Sequence, residues 1–67
     1  QGLGMGIARY ILLKRLERAK MLLTAGNDSI TAVAGQVGFD DPAYFAKVFR
    51  HEYKLSPSEY RMKYAGR

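Results

Sequence analysis

Apolar residues recur along this chain at helical spacing and nowhere alternate strictly, so the pattern predicts helices and no sheet. The run from Ile7 to Thr24 contains no Gly or Pro, and Leu12, Leu16, Ala19 and Leu23 form one stripe of a long helix. Its opposite side carries Lys14 and Arg18, with Ile7, Ile11 and Leu22 close by, so two apolar faces are expected. Ala25-Gly26-Asn27-Asp28-Ser29 is turn chemistry. Gly26 or Asn27 suits a left-handed helix stop, and Asp28 or Ser29 suits the next N-cap. A second helix follows, with Ile30, Val33, Ala34 and Val37 at i, i+3, i+4 and i+7.

Gly38 ends that stripe, and Asp40-Asp41-Pro42 supplies an N-cap with proline near the first helical position, where its missing N–H costs nothing. The third helix is expected over about 41–53, with Phe45, Val48, Phe49 and Tyr53 inward and Ala43, Lys47, Arg50 and Lys54 outward. Ser56-Pro57-Ser58-Glu59 reads as a capping box opening a short terminal helix. The fold class is therefore all-α, a small bundle of about four helices.

Length and composition narrow what such a bundle does. Sixty-seven residues make one small domain, and a chain near that size buries only roughly 60% of its unfolded surface, leaving little room for a substrate pocket. With no Cys and a single His, a thiolate nucleophile and a cysteine metal site are excluded, and no nucleophile is paired with a base. No enzyme, metal site or cofactor is expected. The longest apolar runs, Ile11 to Leu13 and Met21 to Leu23, fall far short of a membrane span, and no secretory leader is visible, so a cytoplasmic location is expected. Eleven Lys and Arg against six Asp and Glu leave a net charge of +5, which favours a polyanionic partner. A membrane surface fits poorly because Lys14 and Arg18 share their side with Ile7 and Ile11.

A short helix to Gly38, a turn of about three residues and a longer helix from Asp41 or Pro42 have the spacing of a helix-turn-helix. Gly38 supplies the left-handed conformation, and Phe39 tucks into the angle between the helices. The outward residues Ala43, Ala46, Lys47 and Arg50 then suit a major groove: small side chains permit close approach, and cations reach guanine edges or phosphates. Lys47 is the foremost base-reading candidate. Tyr44, at the edge of the apolar face, is expected to be buried rather than to offer its hydroxyl to phosphate, His51 to lie on the surface, and Asp40 and Asp41 to act as cap and dipole partners.

At this point the residues resemble the AraC/XylS transcription regulators. Arg15-Leu16-Glu17-Arg18-Ala19-Lys20-Met21-Leu22-Leu23 is similar to that family's linker helix, and Ser29-Ile30 through Val33-Ala34 with Val37-Gly38-Phe39 to its second helix-turn-helix. Tyr44-Phe45 with Phe49-Arg50 resembles its recognition helix, and Ser56-Pro57-Ser58-Glu59-Tyr60-Arg61 its terminal segment. The resemblance runs from about Gly4 to Arg61. Ile7 stands where the family usually has proline and Lys54 where it usually has glycine.

The resemblance implies a fragment of the DNA-binding domain: a flexible seam over 1–6, a linker helix over 7–25, the second helix-turn-helix with its terminal helix over 26–61, and a tail over 62–67. It implies double-stranded DNA as partner, with the third helix in the major groove of a homeodomain-like motif. Groove-facing candidates are Pro42, Ala43, Ala46, Lys47 and Arg50, with Ser29 and Thr31 near phosphate. It further implies a bacterial, nucleoid-associated setting and contact with RNA polymerase. The competing reading is a protein-interaction fragment, in which exposed Ile7, Tyr10 and Ile11 form a homodimer.

Overall fold

The apolar stripes converge on one core. In a computed structural model describing residues 3–65, Leu16, Ala19 and Leu23 of α1 (Leu3–Ala25) meet Val33 and Ala34 of α2 (Ile30–Gln36) and Phe45 and Phe49 of α3 (Pro42–Tyr53). Val37 and Phe39, from the turn between α2 and α3, complete the buried set, and α4 (Pro57–Tyr64) closes it with Pro57 and the half-buried Tyr60. No strand occurs among the described residues. Leu12, Val48 and Tyr53, expected inward, are half-buried and pack at the margin. Leu22 joins that margin too, instead of lying on the basic side of α1.

Helix α1 begins at Leu3, ahead of the predicted Ile7. Gly4 and Gly6 weaken a helix by roughly 1 kcal/mol each but do not forbid one, and nothing lies within 4 Å of a Cβ built at Gly6. Residues 1–2 of the predicted seam and 66–67 of the predicted tail lie outside the described residues. Helix α4 continues past Arg61 to Tyr64, so it takes in the first residues assigned to that tail.

The end of α1 departs from expectation in an instructive way. Gly38 and Lys54 are the described residues with positive φ, so neither Gly26 nor Asn27 makes a left-handed stop. Instead Arg61 of α4 donates from Nε to the Leu23 carbonyl at 2.9 Å, satisfying one of α1's terminal acceptors and placing a cation at the negative end of its dipole. A side chain distant in sequence replaces the local cap. The next helix is capped by Ser29, whose Oγ accepts from Ala32 N–H at 3.0 Å, while Asp28 accepts from the Gln36 side chain at 2.7 Å.

The turn between α2 and α3 is a Schellman closure. Phe39 N–H donates to Ala34 C=O at 2.9 Å and Gly38 N–H to Gly35 C=O at 3.1 Å, with Gly38 at φ 96°. Phe39 is thereby laid into the core beside Ala34. Helix α2 stops at Gln36, so residues 37–41 connect the two helices, a longer link than the expected three. Val37 still keeps its place in the stripe, because its N–H remains bonded to Val33 C=O. Asp41 then caps α3 by accepting from Ala43 N–H at 3.0 Å, with Pro42 at the first position.

A chain of aromatic contacts pins α3 from behind. Phe39, Phe45, Phe49 and Tyr60 follow one another at centroid separations of 5.2, 5.7 and 5.5 Å, and Tyr53 meets Phe49 edge-on at 4.8 Å. Burial pushes the Tyr53 phenol's pKa upward, with Glu17, Glu52 and Tyr60 adding to the shift. With α2 and α4 flanking it, α3 has one immobilised face and one open face.

Candidate nucleic-acid interface

The open face of α3 follows from its angular positions. At about 100° per residue, its exposed side chains fall within roughly 60° of Lys47: Ala43 and Arg50 to one side, Tyr44 and His51 to the other. Lys54, at the C-cap, lies on the same arc. Phe45 and Phe49 sit opposite, fully buried. Thus Ala43, Lys47 and Arg50 share one solvent-facing surface, whereas Ala46 is half-buried at its margin and Pro42, also half-buried, turns about 140° away from Lys47. Ser29 and Thr31 are exposed but belong to a different element, at the start of α2.

Tyr44 corrects the sequence reading. It is 52% exposed, because Phe39 occupies the interhelical angle and holds the Tyr44 ring outside it at 6.1 Å. His51, expected on the surface, has a side chain 78% exposed. The symmetric arc about Lys47 is the signal for these two residues, since Tyr44, Lys47 and His51 stand at i, i+3 and i+7.

Charge on this face is unevenly engaged. Lys47 takes part in none of the ion pairs among the described residues, which involve Arg9, Lys14, Arg50 and His51. Arg50 approaches Glu59 at 3.9 Å, a loose exposed contact that leaves its guanidinium free to turn outward. Glu59 is occupied elsewhere: it accepts from Ser56 N–H at 2.8 Å while Ser56 Oγ accepts from Glu59 N–H at 3.1 Å. The Ser56 backbone N–H holds the Glu59 carboxyl below its ordinary pKa, with the Ser56 side chain and Arg50 assisting.

The turn that presents α3 is tightly built. A Cβ at Gly38 would stand 3.3 Å from Arg15 Nε, so the glycine serves both the positive φ and the close approach of α1's guanidinium. Among the described residues no cluster of His, Asp or Glu is arranged to hold a metal ion, and no helix is long and apolar enough to cross a membrane.

A pinned scaffold presenting one basic helix beyond a glycine turn defines a helix-turn-helix DNA-binding module, and comparison with known proteins agrees. The helix-turn-helix domain family model matches residues 1–63. An uncharacterized HTH-type transcriptional regulator of Haemophilus influenzae is 43% identical over 61 residues, 91% of this chain and 20% of that protein. The HTH-type transcriptional activator RhaR of Yersinia pseudotuberculosis is 38% identical over 64 residues, 96% of this chain and 22% of that protein. The C-terminal domain of the two-component response regulator yesN from Fusobacterium nucleatum superposes with a TM-score of 0.79 at 41% identity, covering 81% of this chain and 52% of that one. The chain belongs to the helix-turn-helix domain family, in its AraC type. It spans about a fifth of the length of the curated relatives it matches.

Proposed function

We propose that this chain seats α3 in the major groove of double-stranded DNA as part of a bacterial transcription regulator working in the cytoplasm, on the nucleoid when bound. Lys47 and Arg50 supply the cations, Ala43 and Ala46 allow close approach and meet thymine methyls, and Pro42 sets the helix entry. The hydroxyls of Ser29 and Thr31 serve as phosphate partners. The reading assigns the chain no catalysis and no cofactor, and it includes contact with RNA polymerase.

The observation that carries this reading is the exposed arc of α3 centred on Lys47, backed by fully buried Phe45 and Phe49. Fluorescence anisotropy of a labelled 20-base-pair random duplex tests it, comparing the parent with a Lys47→Ala, Arg50→Ala double variant. Loss of most of the binding in a variant that keeps its helical circular dichroism supports the assignment. Undiminished binding removes Lys47 and Arg50 from the interface, and with them the groove reading.

A second reading is favoured by a specific feature of α1, whose Ile7 and Tyr10 are each 62% exposed and whose Met21 is 69% exposed. These residues, with Ile11, suit a homodimer through α1. Light scattering after size exclusion decides: a monomer at high micromolar concentration rejects the dimer.

A further inference from the structure

The flank of α3 that faces α1 holds a group of side chains the groove assignment does not use. Arg9 of α1 reaches Glu52 of α3 with Nη2 at 3.0 Å from Oε2 and 3.2 Å from Oε1. Glu52 is largely covered, its side chain 14% exposed, whereas that of Arg9 remains 59% exposed. The same carboxylate lies 3.7 Å from His51 Nδ1. One recessed acid therefore stands behind two exposed nitrogen-bearing side chains drawn from different helices. Beside them a shallow groove runs between α1 and α3, with Leu12 and Val48 among its walls and Arg9, Tyr44, Lys47 and His51 along its rim.

That arrangement suits a phosphodiester better than a solvated surface. A guanidinium has five donors in a rigid fork, and Glu52 engages it through one terminal nitrogen, leaving the others to pair with an anion. The carboxylate restricts where Arg9 travels without covering it, and His51 stands exposed beside it. Tyr44, held out of the core by Phe39, adds a neutral hydroxyl beside Lys47 on the same helical row. A helix lying in a major groove has a sugar-phosphate backbone along each side, so a donor-lined flank beside the reading face meets one of them.

We infer that Arg9, held by Glu52, and Tyr44, held outward by Phe39, form with the neighbouring His51 a clasp for a DNA backbone phosphate alongside the groove that α3 enters. The inference rests on the reading of α3 as the DNA-facing helix. Arg9 supplies charge and Tyr44 a hydrogen bond, so the clasp contributes to affinity and register while carrying no base preference of its own. Glu52 is a positioning residue: it touches no phosphate and acts by holding Arg9.

The test is a salt titration of binding to the random 20-base-pair duplex by the parent, Arg9→Gln, Arg9→Lys, Tyr44→Phe and the Lys47→Ala, Arg50→Ala double variant. Each is checked for helical content beforehand. Arg9→Gln is expected to weaken binding roughly tenfold at 50 mM salt and to reduce the log–log salt slope by about 0.9, the signature of one phosphate no longer neutralised. Arg9→Lys, which keeps the charge, retains the slope. Tyr44→Phe is expected to weaken binding roughly fivefold with the slope unchanged, because it removes a neutral hydrogen bond. If Arg9→Gln and Tyr44→Phe bind as the parent does while the double variant fails, the clasp is wrong and the groove reading stands. If the double variant binds normally while Arg9→Gln and Tyr44→Phe lose affinity, phosphate is held on this flank and the groove reading falls. Parental behaviour in all four variants overturns both.

Discussion

Lys54 holds a left-handed conformation, φ 66° and ψ 8°, at the end of α3. A side chain with a Cβ is strained there by roughly 1 kcal/mol relative to glycine. The lysine recovers part of this, since Nζ donates to the His51 carbonyl at 3.2 Å, but that contact is exposed and weak. Lys54→Gly is therefore expected to stabilise the domain by about 0.5 kcal/mol, read as a melting temperature a few degrees higher. An unchanged or lower melting temperature would mean that the lysine contact outweighs the backbone strain. Gly38 presents the opposite case. At φ 96° with Arg15 Nε 3.3 Å from the place of a Cβ, Gly38→Ala combines backbone strain with displacement of a guanidinium. A loss of about 1–2 kcal/mol in urea unfolding is expected. A loss below about 0.5 kcal/mol would show that the turn relaxes freely.

Among the elements, the two ends of α4 illustrate what a single sequence reveals. Ser56 and Glu59 are three residues apart, and their reciprocal cap is legible from the residue types and spacing alone, as are Asp41 before Pro42 and the αL demand at Gly38. These features use only neighbouring residues. Arg61 ties α4 to the Leu23 carbonyl across 38 positions, and Arg9 ties α1 to Glu52 across 43; neither separation leaves a periodic trace. The Tyr44 misreading has the same root, because its burial depends on whether Phe39 already fills the interhelical angle, which is a matter of packing. The exposed face of α3 was legible over most of its arc, with Lys47 and His51 outward as expected and Tyr44 alone misplaced on the flank facing α1. The cap at Glu59 has a pH consequence with a definite sign. Its folded-state pKa lies below the ordinary 4.5, so the stability it contributes is present above that value and is lost as pH falls through the folded pKa. Glu59→Gln keeps an acceptor at the same position but cannot titrate. Acid unfolding followed by circular dichroism is thus expected to be less steep below about pH 4.5 in this variant. An identical acid limb would leave the Ser56 contact without thermodynamic weight.

Over the whole molecule, the acids are local and the bases are dispersed. Asp41, Glu59 and Asp28 serve helix ends and turns, while Glu17 and Glu52 lie beside Lys14 and Arg9. The remaining cationic excess, +5 over 67 residues, is the property that a polyanion meets at a distance. In the proposed seating of α3 in the groove, direct readout is thin by comparison. Ala43 and Ala46 offer methyl contacts only, and Lys47 is a point charge without the bidentate fork that lets arginine select guanine. Binding to DNA is therefore expected to be dominated by counterion release. If about four phosphates are neutralised, raising salt from 50 to 200 mM weakens binding on the order of 100-fold. The same dominance predicts a small spread of affinity among unrelated 20-base-pair duplexes at fixed salt, within roughly tenfold, because a changed base pair costs little where few base edges are touched. Anisotropy titrations over both variables check the two expectations together. A shallow salt slope with a wide spread among sequences would overturn the electrostatic account and shift the burden of recognition to base contacts made by Lys47 and Arg50.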